Sequence, residues 1–187
     1  MIELGSFQVG TGGLLVKDPR SVVTDEQVLI ADARPGWWNA FLQKDGDLIC
    51  ALVLIHDGID PQKTRPEWQD SIGSVSLVDD SIGVFNQTKF EAHCEEILPD
   101  FGTLMTEEAG YCLDKYGAMA VAGVNTASCD VFTDTDKKSR VVAVKVVFWD
   151  DKESWGEDPE EDDEDENPSE FGWGGERYQD GDEPDDE

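Results

Sequence analysis

The chain has 187 residues, with 43 Asp and Glu against 14 Lys and Arg, and its formal net charge is −29 at pH 7. Because nucleic acids and anionic lipids are themselves negative, this charge argues against direct binding to either and favours basic protein surfaces or cations as partners. The length allows one medium-sized domain with a hydrophobic core, plus an appendage.

The charge divides the chain into two regions. Residues 1–149 contain 23 acidic and 12 basic side chains, whereas residues 150–187 contain 20 and 2. Hydrophobic periodicity stops at Asp150. Ordering one backbone residue costs roughly 1–2 kcal/mol, and repulsion among the acids adds to that cost. We therefore predict a β-rich globular domain at 1–149 and an acidic disordered tail at 150–187.

The cysteines are widely spaced and form no Cys-x-x-Cys pair. This pattern favours buried free thiols in a reducing compartment over a disulfide framework. The first residues lack the basic and apolar regions of a signal peptide, and no apolar run reaches membrane-spanning length. We expect a soluble protein of the cytoplasm, which is the host cytoplasm if a phage encodes it. The cysteines are Cys50, Cys94, Cys112 and Cys129.

Two pairs of similar segments indicate an internal repeat. GSFQVGTGGLLV at 5–16 aligns with GSVSLVDDSIGVF at 73–85, and DLICALVLIHD at 47–57 aligns with SRVVAVKVVFWD at 139–150. β-Branched content and alternating apolar residues predict strands in these segments. Duplicated strands would form a pseudo-twofold sandwich or barrel-like sheet. Chance similarity between β-prone segments explains the likeness nearly as well.

Turn signals lie between the predicted strands. Asp45-Gly46 is typical of a β-hairpin. GTGG at 10–13 precedes a strand instead of opening a helix, so it predicts a bulge or hairpin turn and not a phosphate-binding loop. In the last strand we predict that the even-numbered positions from 142 to 148 face one side of the sheet and the odd-numbered positions from 143 to 149 face the other.

The second half contains an insertion that is predicted to be helical. Thr88 and Glu91 fit a capping box with Thr88 as the N-cap, and apolar residues then recur at helical spacing until Pro99. A second short helix is predicted from Thr106 to Lys115. The predicted fold class is therefore α+β and β-rich: a sandwich or barrel-like sheet built from two similar halves, with one or two helices inserted in the second half.

The chain contains no recognised catalytic or metal-binding motif. His56 and Asp57 end a predicted strand, where catalytic groups often lie, so an enzyme using this pair is one alternative. Cys94 follows His93, but adjacent helix positions point in different directions, and we expect Cys94 to face the core. DTDKKS at 134–139 begins like a calcium loop but lacks its glycine and places lysines at ligand positions. We predict no catalytic residue, no metal and no cofactor.

The acidic tail carries the strongest functional signal. Grooves that bind single-stranded nucleic acid combine basic residues with aromatic platforms. The tail has a dense acidic run and three aromatic rings, so its carboxylates would stand where phosphates bind and its rings where bases stack. Two acids of the predicted domain add to the negative field. The predicted partner-binding residues are Glu160, Glu161, Asp162, Asp163, Glu164, Asp165, Glu166, Phe171, Trp173, Tyr178, Asp79 and Asp80.

Three segments, GTGGLLVKDP, SVSLVDDSIGVF and SRVVAVKVVF, resemble a family of β-rich proteins of bacteria and phages. That family starts with a Val-Asp-Ser-Gly, apolar, Asp-Pro pattern and closes with an Arg-Val-Val-Ala strand that ends in Phe. This chain departs from it where Ile82 follows Ser81, since the family has glycine there. The resemblance spans residues 5–149, implies a β fold and a phage or bacterial origin, and brings no activity with it.

The acid content is also similar, in composition only, to that of phage proteins that mimic DNA and disarm host nucleases or restriction systems. We therefore favour a non-catalytic acidic inhibitor that occupies a basic, nucleic-acid-binding surface of a partner protein, as a phage counter-defence factor. The alternatives are an immunity-type protein that neutralises a basic toxin, the enzyme using His56 and Asp57, and an accessory phage protein whose tail confers solubility.

Overall fold

A computed structural model describes most of the first 148 residues. Contacts divide the chain into two units, Met1–Asp151 and Lys152–Glu187, and the described residues all belong to the first. The prediction of a disordered tail therefore concerns residues outside the described part. The described ranges are 1–21, 26–46, 48–59, 65–78, 81–94, 109–113, 115–122 and 126–148.

The described residues form eleven strands and one short helix, α1, at residues 87–94. The strands are β1 (Ile2–Val9), β2 (Leu14–Lys17), β3 (Gln27–Ile30), β4 (Gly36–Asp45), β5 (Leu48–His56), β6 (Gly73–Ser76), β7 (Ser81–Asn86), β8 (Gly110–Leu113), β9 (Gly117–Val121), β10 (Ser128–Thr135) and β11 (Val141–Val147). This composition confirms the β-rich prediction.

The strands pair into two sheets whose order is symmetric. Sheet A runs β1-β4-β5-β11-β10-β6, and sheet B runs β3-β2-β7-β9-β8. The repeat partners β5 and β11 are antiparallel neighbours at the centre of sheet A, and the partners β2 and β7 are antiparallel neighbours in sheet B. A twofold relation between two similar halves would produce this arrangement, so the strand order agrees with the predicted halves. The second half adds α1 and β8.

The two sheets stack face to face as a sandwich, and the main core lies between them. Over the described residues they do not close into a barrel, although β8 lies against β1 on one side and β3 lies against β6 on the other. Phe7, Trp38, Leu52 and Leu54 are fully buried in this core. Burying one such side chain stabilises the fold by about 1.5–3 kcal/mol relative to leaving it exposed.

The alternation predicted for the last strand is observed from Ala143 to Phe148. It fails at Val142, because the β10–β11 register shifts there and Val141 belongs to the core cluster instead. Val144, Val146 and Phe148 face the core between the sheets. Ala143 and Val147 belong to a second apolar cluster on the outer face of sheet A. The strand therefore contributes to two hydrophobic layers at once, as a central strand of a covered sheet does.

Helix α1 covers the outer face of sheet B, but its cap differs from the prediction. The backbone N–H of Lys89 donates to Asn86 Oδ1 at 3.1 Å, so Asn86 is the N-cap and Thr88 already lies within the first turn. The predicted capping box at Thr88 is wrong because β7 ends two residues earlier and its last side chain serves as the cap. Phe90 then stacks on Phe85 at a ring-centroid distance of 4.3 Å.

The second predicted helix, Thr106 to Lys115, is wrong where the structure describes it. Residues 110–113 form strand β8, which pairs with β9 from Gly110 opposite Ala120 to Leu113 opposite Gly117. Pairing with a neighbouring strand outweighs the helical spacing of so short a segment. Residues 106–108 lie outside the described part.

The predicted hairpin turn at Asp45-Gly46 is present, whereas the predicted bulge or hairpin turn at residues 10–13 is a turn of another kind. Gly46 has a φ of +56° and joins β4 to β5 as a hairpin. The glycines at 10–13 connect β1 of sheet A to β2 of sheet B, so this turn carries the chain between the sheets instead of closing a hairpin. Gly13 has a φ of +87°, and a Cβ there would lie 2.5 Å from the Ile30 carbonyl oxygen, so the turn needs glycine at this position.

Candidate functional site

The residues predicted to bind a partner lie outside the part of the chain that the structure describes. Their role stays a prediction, as does the domain boundary at residue 149. The residues concerned are Asp79, Asp80, Glu160, Glu161, Asp162, Asp163, Glu164, Asp165, Glu166, Phe171, Trp173 and Tyr178.

The described residues carry almost no net charge. They contain 12 Asp and Glu and 11 Lys and Arg, a difference of one, whereas the other 69 residues contain 31 and 3. The excess of acid within 1–149 therefore lies in the segments of the chain that the structure does not describe.

One stretch of backbone beside the predicted acids is anchored by a buried carboxylate that the sequence reading missed. Asp18 is fully buried, and its Oδ2 accepts a hydrogen bond from the backbone N–H of Val78 at 2.7 Å. Its Oδ1 accepts from the N–H of Arg20 at 2.8 Å. Val78 immediately precedes Asp79, so Asp18 holds the chain at the point where the predicted acidic pair begins. The only sequence signal was an Asp-Pro step at the end of a strand.

His56 is the residue that an enzyme would use, and it is buried at 4% exposure. Its Nδ1 lies 2.9 Å from the backbone N–H of Gly58, which can only donate, so Nδ1 is the acceptor. Nε2 therefore carries the proton and donates to the carbonyl oxygen of Pro35 at 3.1 Å. Both ring nitrogens are engaged by backbone.

With the proton on Nε2, His56 and Asp57 cannot form the hydrogen bond that a catalytic His–Asp pair uses. A carboxylate that assists a histidine accepts a hydrogen bond from its Nδ1–H. Asp57 Oδ1 lies 3.1 Å from Nδ1, but that nitrogen has no proton to offer, and the Asp57 side chain is 51% exposed. The ring instead packs edge-on against Trp38 at 5.7 Å, and a Cβ at Gly36 would lie 2.6 Å from Nε2. The geometry favours a structural role for His56.

His93 and Cys94 in α1 also make packing contacts. The ring of His93 lies edge-on to Tyr116 at a centroid distance of 5.9 Å. Cys94 is partly buried against the cluster formed by Phe85, Phe90 and their neighbours, as expected for the apolar face of the helix. All four cysteines are free. Burial, followed by the charges of Asp130 and Asp18, raises the pKa of the Cys129 thiol to about 12.

The segment that resembles the start of a calcium loop is a β-turn between β10 and β11. Asp136 Oδ2 accepts from Arg140 Nη2 at 2.7 Å and from Arg140 Nε at 3.0 Å. Its Oδ1 accepts from the N–H groups of Lys138 and Arg140. The side-chain hydrogen bond from Arg140 is the main cause that lowers the pKa of Asp136 from 3.8 to about 2. This carboxylate is committed to the turn, and within the described ranges no group of three or more His, Cys, Asp or Glu side chains could hold a metal.

A groove of about 410 Å³ opens where β1, the β4–β5 hairpin and β8 meet. Most of its lining is apolar. One acid, Glu3, and one base, Lys44, also line it. The lining residues are Ile2, Glu3, Leu4, Leu42, Lys44, Ile49, Ala109, Gly110 and Tyr111.

Comparisons of the chain with protein-family models, with curated proteins and with solved structures gave no significant match. The resemblance to a phage and bacterial β-rich family therefore stays a prediction. No helix within the described ranges is both long and apolar enough to span a membrane.

Proposed function

We propose that the protein is a non-catalytic binding protein that presents an anionic segment to a basic, nucleic-acid-binding surface of a partner protein. It would act as a nucleic-acid mimic in the cytoplasm of its host cell, in phage counter-defence. The partner class is a nuclease or another protein that binds nucleic acid.

One observation carries this proposal: the acid is most concentrated at the C-terminal end of the sequence. Residues 150–187 hold 20 acidic and 2 basic side chains, whereas residues 1–149 hold 23 and 12. A concentrated polyanion suits binding to a cationic surface, because long-range attraction from the anion accelerates association. A solubility function would not require aromatic rings within the acidic segment.

The spacing of the acids supports mimicry of a nucleic-acid strand. Residues 160–166 are seven consecutive acids. A fully extended chain advances by about 3.3–3.6 Å per residue, and one strand of duplex DNA carries one negative charge per about 3.4 Å of helix axis. An extended run of acids would therefore match the charge per unit length of one duplex strand, although alternate side chains would point to opposite sides.

The aromatic residues supply the second half of the mimicry. Phe171, Trp173 and Tyr178 follow the acidic run, with glycines at 172, 174 and 175. Stacking of an aromatic ring in a site built for bases contributes about 1–3 kcal/mol per ring. The rings would give affinity that salt does not screen, whereas the carboxylates would give affinity that falls as ionic strength rises.

The test uses three variants of the full chain as bait for host proteins, at low and at high salt. The first replaces the seven acids of 160–166 by their amides. The second makes the same charge change on exposed acids of the sandwich. The third replaces Phe171, Trp173 and Tyr178 by alanine. The seven sandwich acids are Asp32, Asp45, Asp57, Glu67, Asp70, Glu91 and Asp130.

We expect the first variant to lose its partner at all salt concentrations and the second to keep it. The third should bind more weakly but retain the salt dependence. Equal losses in the first two variants would mean that only net charge matters, and a loss confined to the second would place the site on the sandwich. A partner that is a basic toxin without affinity for nucleic acid would support the immunity-type alternative.

A further inference from the structure

The Nδ1 atom of His56 has two neighbours that it cannot satisfy at the same time. The backbone nitrogen of Gly58, a donor, lies 2.9 Å from it, and Asp57 Oδ1, an acceptor, lies 3.1 Å from it. A neutral ring with its proton on Nε2 accepts from Gly58 and turns the same lone pair toward the Asp57 carboxylate. A protonated ring donates from Nδ1 to Asp57 and sets its new N–H against the N–H of Gly58. Each protonation state therefore satisfies one neighbour and conflicts with the other.

The remaining contacts of the ring are the same in both states. Nε2 carries a proton in either state and donates to the carbonyl oxygen of Pro35 at 3.1 Å. The ring is 4% exposed and packs edge-on against Trp38. A Cβ at Gly36 would lie 2.6 Å from Nε2, so the backbone also closes that side. Because these contacts hold the ring in place, the effect of a proton falls on the turn at residues 57–59.

Three backbone hydrogen bonds fix this turn. The N–H of Asp57 donates to the Trp37 carbonyl oxygen, and the N–H of Ile59 donates to the His56 carbonyl oxygen, both at 2.9 Å. The third is the bond from Gly58 to Nδ1. Of the three acceptors, only Nδ1 can take up a proton in water near neutral pH. Ile59 packs against the apolar cluster on the outer face of sheet A, so the turn also places a side chain on that face.

Two charged side chains that the structure describes lie at this turn. Asp57 is 51% exposed, and the two terminal guanidinium nitrogens of Arg34 would lie 3.2 and 3.3 Å from a Cβ at Gly58. Strand β4 contributes Trp38 and backbone, and the adjacent part of β11, residues 141–143, is uncharged. A nearby negative charge favours a protonated ring and a nearby positive charge favours a neutral ring. Asp57 and Arg34 therefore act on the ring in opposite directions.

We propose that the turn at residues 57–59 is a pH-sensitive switch. When His56 takes up a proton from solvent, the hydrogen bond of Nδ1 moves from the Gly58 N–H to the Asp57 carboxylate. The released Gly58 peptide rotates away from the ring, which glycine permits because it has no side chain to restrict its backbone. Ile59, the next residue, then shifts on the outer face of sheet A, and acid uncovers part of the apolar cluster there.

The placement of Asp57 distinguishes a switch from a purely structural histidine. A ring kept only for packing and for its two backbone hydrogen bonds has no use for a carboxylate 3.1 Å from its acceptor nitrogen. Histidine is also the side chain whose ordinary titration falls between about pH 5 and 8. The proposal rests on this turn alone, and it holds whether or not the proposed function is correct.

The experiment is nitrogen-15 NMR of the full chain between about pH 8 and pH 5. At the upper end we expect the proton of the His56 ring on Nε2 alone. As the pH falls, the Gly58 amide signal should move together with the His56 ring nitrogens. Hydrogen exchange at Gly58 should become about tenfold or more faster relative to exchange at Asp57, whose amide bonds to backbone. His93 is an internal control, because its titration should leave the Gly58 amide unaffected.

Two variants should move the transition in opposite directions. Asp57→Asn removes the carboxylate that receives the Nδ1 proton, so the transition should move to lower pH. Arg34→Gln removes the positive charge beside the turn, so the transition should move to higher pH. The matched control is Asp45→Asn, because Asp45 is an exposed acid at the far end of the β4–β5 hairpin. This variant should leave the transition where it is.

Four results would each overturn the proposal. The first is a proton on Nδ1 at pH 8, and the second is a His56 ring that stays neutral until the protein unfolds. The third is a Gly58 amide that does not follow the ring as it titrates. The fourth is an equal transition in Asp57→Asn and Asp45→Asn, which would show that the carboxylate beside Nδ1 receives no hydrogen bond from it.

Discussion

Asn86 Nδ2 donates a hydrogen bond to the backbone oxygen of Gln8 at 3.0 Å, although the two residues are 78 positions apart. Asn86 ends β7 in sheet B, and Gln8 lies on β1 in sheet A. The same side chain caps helix α1 through its Oδ1. One buried amide thus joins the two sheets and starts the helix that covers one of them.

Asn86→Ala should lower the free energy of unfolding by about 2 kcal/mol, because it removes an N-cap and leaves a partly buried carbonyl without its donor. Thr88→Ala is the matched control. Thr88 is exposed within the first turn, so its replacement should change stability by less than about 0.5 kcal/mol. Urea denaturation of both variants measures the difference. A larger loss of stability in the Thr88 variant than in the Asn86 variant would instead support the capping box predicted from the sequence.

His56→Ala should destabilise the fold by about 3 kcal/mol, since it creates a cavity beside Trp38 and leaves the backbone groups of Pro35 and Gly58 unpaired. Asp57→Asn, one residue away and exposed, should have little effect. Denaturation curves of the two variants give the comparison. If His56→Ala were as stable as the unmodified chain, the structural role assigned to the ring would be untenable.

The Asp136 carboxyl should titrate with a midpoint near 2, where an ordinary aspartate titrates near 3.8. Because the folded pKa is the lower one, this carboxylate contributes stability that is complete above the ordinary value and is lost as the pH falls toward 2. Carbon-13 NMR of the carboxyl group gives the midpoint directly. In Arg140→Gln the midpoint should rise toward 3.8. An unchanged midpoint in that variant would show that Arg140 is not the main cause of the low pKa of Asp136.

The cysteines should react with an alkylating reagent in a fixed order. Thiolates are the reactive species, and the Cys129 thiol, with a pKa near 12 and no exposed surface, should be alkylated last. Cys94 is only partly buried and should be alkylated first. Mass spectrometry of peptides after timed labelling resolves the order. Early labelling of Cys129 in the native protein would show that its surroundings open readily.

Strands with strong periodicity were predictable from the sequence. The central strands β5 and β11 have high β-branched content and clear alternation, and their likeness pointed to two similar halves before any strand order was known. The hairpin at Asp45 and Gly46 followed from turn chemistry. These features depend on local sequence, so the sequence pattern alone was enough to predict them.

Features that depend on distant contacts were not predictable. Residues 110–113 have helical spacing, yet they pair with β9, and only the fold supplies that partner. In the sequence, Asp18 cannot be distinguished from a surface acid. Only the fold brings the backbone N–H of Val78, 60 positions away, within hydrogen-bond distance of its carboxylate.

The most direct test of the account is competition at constant ionic strength. A partner captured by the full chain is challenged with single-stranded and duplex DNA while the salt concentration is held fixed. If the acidic segment occupies a nucleic-acid-binding surface, DNA should displace the protein from its partner. The variant with amides at 160–166 should show no measurable binding to that partner even without DNA. A partner that binds DNA and this protein at the same time, without mutual displacement, would contradict the account.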